Sequence, residues 1–408
     1  MPRSIKPISS VAKVTLRKTT PPSSSSSKLL YRARHRTSDH LTMDDSRNKD
    51  HHHDTHAIPP QAVCNVYKKY QRMNDAAVNQ DLDVVDFERG LTDAQREKLF
   101  PVDSVPSELM ASARAAFKSS GQHPLDETMV SDPTPCTIYE HRDFPGLRIF
   151  PSLLPPECQS MMLNSILHRN LANPLHKTNL HADYDIPFPP PTPTSAHDSF
   201  FSYPPHSKHE VYTPLNPSSH LKPLNTTQFL AKKLRWLTLG SQYDWTTRAY
   251  APDTPTPFPR DIASLVATLF RAAFTPESGV VLLYSPKDFM PVHRDVSELC
   301  DRGLASFSLG CDGLFLLSRD ATPRGEVDES DLEREMEVCI LRVRSGDCVW
   351  MGGETRWCWH AMPKVLAGTC PEWLGEWPAE KGGRREFEKW RGYMRSKRLN
   401  LSCRQVWG

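Results

Sequence analysis

The chain has 408 residues, enough for one large domain or two smaller ones with a substantial buried core. Its net charge is +2, yet residues 1–38 hold nine Lys/Arg and no acid, which leaves −7 on the remainder and excludes a uniformly basic nucleic-acid binder. The ten Cys never form a C-x-x-C pair, which argues against a zinc ribbon or a disulfide scaffold and for a reduced intracellular compartment; no apolar run reaches the roughly 20 residues that span a bilayer.

Taken in chain order, residues 1–60 read as a disordered basic and polar tail, with "TTPPSSSSSKLL" of low complexity and "RNKDHHHDTHAIPP" polar. An acid-free start rich in Arg, Ser and Thr suits a mitochondrial presequence or a nuclear basic tail, so nucleus, mitochondrion and cytoplasm all stay open. Apolar residues at helical spacing predict helices over 62–73 and 106–120. Residues 144–170 read as a strand, a turn and a helix. The 37 Pro of the chain concentrate in part at 184–223, which reads as a Pro-rich surface loop within an N-terminal helical extension, 61–224.

From residue 278 the pattern changes to short β-rich runs separated by polar or Gly-rich turns. They are Gly279–Tyr284, Leu304–Gly310, Gly313–Leu317, Val338–Val343, Asp347–Met351 and Arg398–Val406, as in an antiparallel barrel or jelly roll. A charged excursion, 319–335, separates two of them.

The triplet His-x-Asp occurs three times, as His52/Asp54, His181/Asp183 and His293/Asp295. Only the third lies between two of the expected strands, "GVVLLY" and "LASFSLG". Alternate residues of one strand point the same way, so His293 and Asp295 are expected to share an interior face. "SGDCVWMGGETRWCWHAMP" supplies His360 as a third ligand. Two imidazoles and a carboxylate on one face suit a non-haem Fe(II) site, although His360 alone also reads as an ordinary half-buried strand histidine.

"RLNLSCRQV" places Arg398, Asn400, Ser402 and Arg404 at a period of two, with Leu399, Leu401 and Cys403 opposite. An inward Arg is costly unless it meets an anion, and a dicarboxylate co-substrate provides one. The plainer alternative is an exposed strand whose arginines face water. The segment around Arg384, Arg385, Lys389, Arg391, Arg395 and Lys397 reads equally as a phosphate-binding patch or as an exposed helix, given Glu386 and Glu388.

Four blocks carry a resemblance: "LRWLTLGSQYDW" with "TPFPRDI", "LLYSPKDFMPVHRDVSEL" with "LASFSLG", "RSGDCVWMGGETRWCWHAMPKV", and "RLNLSCRQV". Together they resemble the AlkB-type Fe(II)/2-oxoglutarate dioxygenases, most closely the eukaryotic AlkB homologue 1 branch. The resemblance implies an α+β fold: a double-stranded β-helix (jelly-roll) core over 278–408, flanking helices, and a nucleotide-recognition lid over 225–277. It implies His293, Asp295 and His360 as iron ligands. Arg398 would hold the distal carboxylate of 2-oxoglutarate, supported by Tyr284 and with Asn400 nearby, while Arg404 would cover the co-substrate and substrate side. One departure stands out, since Leu282 occupies a position where the family usually has Asn.

The implied activity is oxidative demethylation of N-methylated nucleobases in RNA or DNA, methyladenine first, with release of succinate, CO2 and formaldehyde. A base inside a duplex cannot reach such a pocket, so single-stranded or flipped-out substrates are expected. In the lid, Tyr243 and Trp245 are the candidates for base stacking, while Trp236 suits core packing better and Tyr250 offers a further face. Glu298 reads either as a base contact or as a solvated loop acid. Two rival functions share the same residues: demethylation or hydroxylation of a protein such as a histone at the same iron site, and nucleic-acid binding with vestigial oxygenase activity.

Overall fold

The structure is a computed structural model, and it describes residues 54–121, 134–193, 197–207, 211–251, 256–270, 274–319, 336–379 and 384–408. Residues 1–53 of the expected tail and 320–335 of the charged excursion lie outside these. All described residues fall in one unit, His52–Gly408. Among them no helix is long and apolar enough to cross a membrane.

Thirteen strands build the two main sheets. In chain order they are β1 (Val84–Val85), β2 (Leu99–Val105), β3 (Cys136–His141), β4 (Phe144–Phe150), β5 (Trp236–Gly240), β6 (Ser278–Tyr284) and β7 (Met290–His293). They continue as β8 (Leu304–Gly310), β9 (Gly313–Ser318), β10 (Val338–Val343), β11 (Cys348–Met351), β12 (Trp359–Val365) and β13 (Arg398–Arg404). The larger sheet runs β2-β3-β4-β11-β8-β13-β6-β5, antiparallel throughout. The smaller runs β1-β10-β9-β12-β7, antiparallel except for the short β1–β10 pair.

Period-two alternation assigns each strand face to a different layer. In β6, β8 and β13 the odd-numbered residues Val281, Leu283, Phe307, Leu309, Leu399 and Leu401 join the core beneath the helices. Those helices are α1 (Gln61–Arg72), α2 (Asp75–Gln80), α3 (Asp93–Lys98), α4 (Ser107–Gly121), α5 (Pro156–Leu163) and α6 (Arg260–Leu269), of which α4, α5 and α6 cover this face. The even-numbered residues face the space between the sheets, where Leu147, Leu304, Val349 and Met351 meet Leu317, Leu341 and Met362. On the far side of the smaller sheet α1 buries Val63, Tyr67 and Tyr70, one stripe at helical spacing, against Leu314, Leu316 and Ile340.

The six expected strands appear within two residues of their ends. The N-terminal segment 61–224 differs from its reading as a helical extension, because β2, β3 and β4 extend the larger sheet. The Pro-rich stretch also departs from a plain surface loop. Phe200, Phe201 and Tyr212 are fully buried, and Phe201 packs edge-on against Trp377, Trp390 and Tyr393 at centroid distances of 5.0–5.4 Å. Proline fixes the backbone between these anchors, and the aromatic rings supply the apolar area that holds the stretch down. Replacing Phe201 by Ala should cost about 3–5 kcal/mol, read as a lower urea midpoint at unchanged slope.

The segment 384–397 is not a continuous helix but two short 3-10 turns, Phe387–Trp390 and Met394–Ser396. Its charges are largely paired: Arg384 with Asp198, Arg391 with Glu376 and Glu388, and Arg395 with Glu376. Lys397 is buried and donates to the carbonyl of Ala231 and the hydroxyl of Ser285.

Candidate metal and co-substrate site

The two histidines owe their placement to strand pairing. β7 and β12 set His293 directly opposite His360, with ring centroids 4.3 Å apart. Each ring is oriented by its Nδ1–H, which donates to a backbone carbonyl: Pro291 at 2.8 Å for His293, Cys358 at 3.2 Å for His360. A carbonyl only accepts, so Nδ1 carries a proton in each ring and Nε2 is the nitrogen left for a ligand. Burial, followed by the neighbouring His293, pushes the His360 imidazole down to about 3, which keeps it neutral.

Asp295 corrects one expectation. The strand ends at His293, and Asp295 lies in the loop that follows rather than two places along the same strand. What brings it to the histidines is ionic: Arg404 Nη2 lies 2.9 Å from Asp295 Oδ2. Burial opposes the charge, but Arg404, with His360 and His293, holds the carboxyl well below the usual range. Its Oδ2 lies 3.9 Å from His360 Nε2, and the three prospective ligand atoms fall within 4.8 Å of one another. Two imidazoles and one carboxylate on a common face fit a ferrous ion and leave positions for further oxygen ligands. Neither His181 nor Asp183 joins such a group among the described residues.

A cavity of about 550 Å³ opens from the triad into the space between the sheets. Its floor is the even-numbered face of β13, whose seven residues pair in register with β6 on one side and β8 on the other. Arg398 sits opposite Tyr284 and Gly310, and is 1 % exposed. Its guanidinium donates to the Ser308 hydroxyl at 2.8 Å and the Cys311 carbonyl at 3.3 Å; its Nε has no partner, and among the described residues no carboxylate lies within ion-pair range. Gly313 makes room for it, since a Cβ there would stand 2.9 Å from Arg398 Nε. Tyr284 is buried beside it, and burial raises its hydroxyl above the ordinary range. Asn400 Nδ2 donates to the Ser306 hydroxyl at 2.8 Å and the Phe307 carbonyl at 3.0 Å. Leu282, paired with Asn400, presents an apolar wall.

The remaining expected site residues divide sharply. Arg404 lines the cavity, but its two Nη groups are shared among Asp295, Glu298 (3.0 Å) and the Ser402 hydroxyl (3.0 Å). Glu298 lines the cavity but is buried, its Oε1 accepting from Arg404 and the Tyr250 hydroxyl at 3.0 Å each and its Oε2 from Arg356 at 2.7 Å, so it is not a solvated loop acid. Tyr250 is therefore buried and tied, not a free stacking face. Tyr243 and Trp245 stand at the mouth in the hairpin Tyr243–Asp244/Ala249–Tyr250; Trp245 is 45 % exposed, and Tyr243 meets the Ser297 hydroxyl at 3.2 Å. Half-buried Trp236 packs on Trp245 at 5.3 Å.

Sequence reasoning passed over two features. Arg356, four residues before His360, carries no periodic or motif signal, since its role depends on a loop 54–61 positions earlier in the chain rather than on its neighbours. Residues 54–59, assigned to the tail, line the cavity mouth, and Arg248 of the hairpin donates to the Thr55 carbonyl.

Comparison with known proteins agrees with this geometry. The family model described as "2OG-Fe(II) oxygenase superfamily" matches residues 201–404, half of the chain, and includes all three triad residues and β13. The chain belongs to this superfamily. Within it, the relatives place it in the AlkB homologue 1 branch. A Pyricularia oryzae protein named N6-methyladenosine RNA demethylase ALKB1 is 38% identical over 360 residues, covering 86% of this chain and 97% of that protein. One from Cryphonectria parasitica, named N6-methyladenosine RNA demethylase ALKBH, is 44% identical over 227 residues, 56% of this chain and 99% of its own. The Schizosaccharomyces pombe protein named tRNA demethylase abh1 is 30% identical over 276 residues, covering 66% of this chain and 82% of that protein. As a 2OG-Fe(II) oxygenase, this chain is an enzyme of dioxygenase type.

Proposed function

We propose that this oxygenase removes N-methyl groups from nucleobases, methyladenine in RNA foremost, using ferrous iron and 2-oxoglutarate. The observation that carries the reading is Arg398: a guanidinium buried in the cavity that also holds the His/Asp/His group, with no carboxylate partner among the described residues. A buried cation of that kind is stabilised by an anionic ligand, and a terminal carboxylate matches its planar fork. The two facing sheets are read as the jelly-roll core, and the hairpin Tyr243–Tyr250 as the lid over a flipped-out base. The names of the relatives in Pyricularia, Cryphonectria and Schizosaccharomyces support methylated RNA as the substrate class.

His293, Asp295 and His360 would hold the iron. With 2-oxoglutarate and O2, the bound metal supplies oxidation of the N-methyl C–H bond, which yields formaldehyde and the N–H base while 2-oxoglutarate becomes succinate and CO2. The chain's own residues do the rest. Arg398 binds and orients the distal carboxylate, with the Tyr284 hydroxyl beside it. Leu282, Val280, Leu304 and Met351 line the walls with apolar groups and exclude water from the reacting centre. Tyr243 and Trp245 stack the base at the entrance.

Replacing both Tyr243 and Trp245 by Ala should weaken binding of a methylated single-stranded oligoribonucleotide by about 1–3 kcal/mol per lost stacking contact. Succinate formation without nucleic acid should be unchanged. The same oligonucleotide annealed into a fully paired duplex should release much less formaldehyde than the single strand. Equal release from both forms would contradict a pocket that needs an unstacked base.

A further inference from the structure

We propose that Arg356 and Glu298 are positioning residues that together fix Asp295 for metal binding. The proposal rests on reading His293, Asp295 and His360 as the metal-binding group. The two histidines are fixed by paired strands, whereas Asp295 lies in a loop with no ladder to hold it. The neighbourhood supplies that hold through one connected charge network.

Arg356 is 1 % exposed and divides its guanidinium among three acceptors. Nη1 donates to the main-chain carbonyl of Asp295 itself, Nε to the Arg302 carbonyl at 3.2 Å, and Nη2 to Glu298 Oε2 at 2.7 Å. One rigid planar group thus spans the loop from 295 to 302. A lysine, with its single point of charge, cannot reach all three. The other oxygen of Glu298 accepts from Arg404 Nη1 at 3.0 Å and from the Tyr250 hydroxyl at 3.0 Å. Arg404 is thereby divided between two carboxylates, and only its second arm touches Asp295, at 2.9 Å.

Each partner limits the next. Without Glu298, both arms of Arg404 are free to close on Asp295 and compete with a metal for its oxygens. Without Arg356, the main chain at Asp295 loses its anchor and Glu298 keeps a buried charge half matched. A buried ion network is weak evidence for stability as such, because apolar replacements often serve equally well. Its connection to the backbone and to the carboxylate of one prospective ligand points to geometry instead. Three donors already hold the Glu298 carboxylate, so this positioning role stands beside its reading as a base contact.

The test titrates Co(II), followed by its visible absorption, into the full-length protein under anaerobic conditions. Thermal unfolding of each metal-free variant runs alongside. Arg356→Lys and Glu298→Gln should each weaken Co(II) binding about 10–100-fold and change the visible spectrum. Phe117→Leu, a core change in α4 away from the site, should lower the melting temperature and leave Co(II) affinity unaltered. If Arg356→Lys does not fold, Glu298→Gln, which preserves shape, carries the same test. Wild-type affinity in the folded variants, with His360→Ala unable to bind, would overturn the positioning role alone. Co(II) binding that survives His360→Ala would overturn the metal reading and the positioning role with it.

Discussion

In the His360→Ala variant, tight ferrous-iron binding should disappear and succinate formation should fall at least about a thousandfold, equivalent to some 4 kcal/mol. The size of the effect follows from the number of ligands. Among the described residues three side chains form the group, and removing one leaves two donors that must also keep their geometry without the third. The fold should tolerate the change. His360 makes one hydrogen bond, through Nδ1 to a backbone carbonyl, and the ladder of β12 against β7 and β9 does not use its side chain. Circular dichroism and thermal unfolding of the metal-free protein should therefore match the wild type closely while Fe(II) binding is lost.

Arg398→Met should produce a different failure. Iron binding should persist, because Arg398 donates to Ser308, Cys311 and Val343 and touches none of the three ligands. The KM for 2-oxoglutarate should rise at least about 100-fold, since two charge-assisted hydrogen bonds to a buried carboxylate are worth about 3 kcal/mol or more together. Arg398→Lys should recover little, because a single ammonium cannot reproduce the parallel pair. The ligand-free stability of Arg398→Met should equal or exceed the wild type. Burial, the largest influence on this group, works against its charged form, and an apolar side chain of similar length removes that cost. A gain in unfolding midpoint together with a loss of co-substrate affinity is the signature of a residue kept for its ligand.

The parts of this site that were legible in the sequence are those with a short-range period. In β13 the alternation of Arg398, Asn400, Ser402 and Arg404 with Leu399, Leu401 and Cys403 is the alternation of two layers, and the structure reproduces it residue by residue. His293 and His360 were legible because each lies in or beside a β-rich run. Asp295 is legible from its motif, but a loop and Arg404 place it rather than a shared strand.

Glu298 and Arg356 show where such reasoning stops. A carboxylate in a polar stretch looks solvated, and only the fold reveals three donors closing around it. The Pro-rich stretch teaches the same lesson for packing. Its prolines advertise a loop, while the burial of Phe201 depends on Trp377, Trp390 and Tyr393, far later in the chain, and Phe200 and Tyr212 pack on Phe229. β2 and β3 were missed for a related reason, as their burial patterns show no regular alternation.

The most direct measurement supplies Fe(II), 2-oxoglutarate and O2 to the wild type, His360→Ala and Arg398→Met. The substrate is a single-stranded oligoribonucleotide carrying one N6-methyladenosine, and succinate and formaldehyde are quantified together. Equal amounts of both products from the wild type, abolished in His360→Ala and restored in Arg398→Met only at high 2-oxoglutarate, is the expected result. Formaldehyde release that persists in His360→Ala, or an Arg398→Met enzyme with unchanged dependence on 2-oxoglutarate, would contradict the assignment of this cavity.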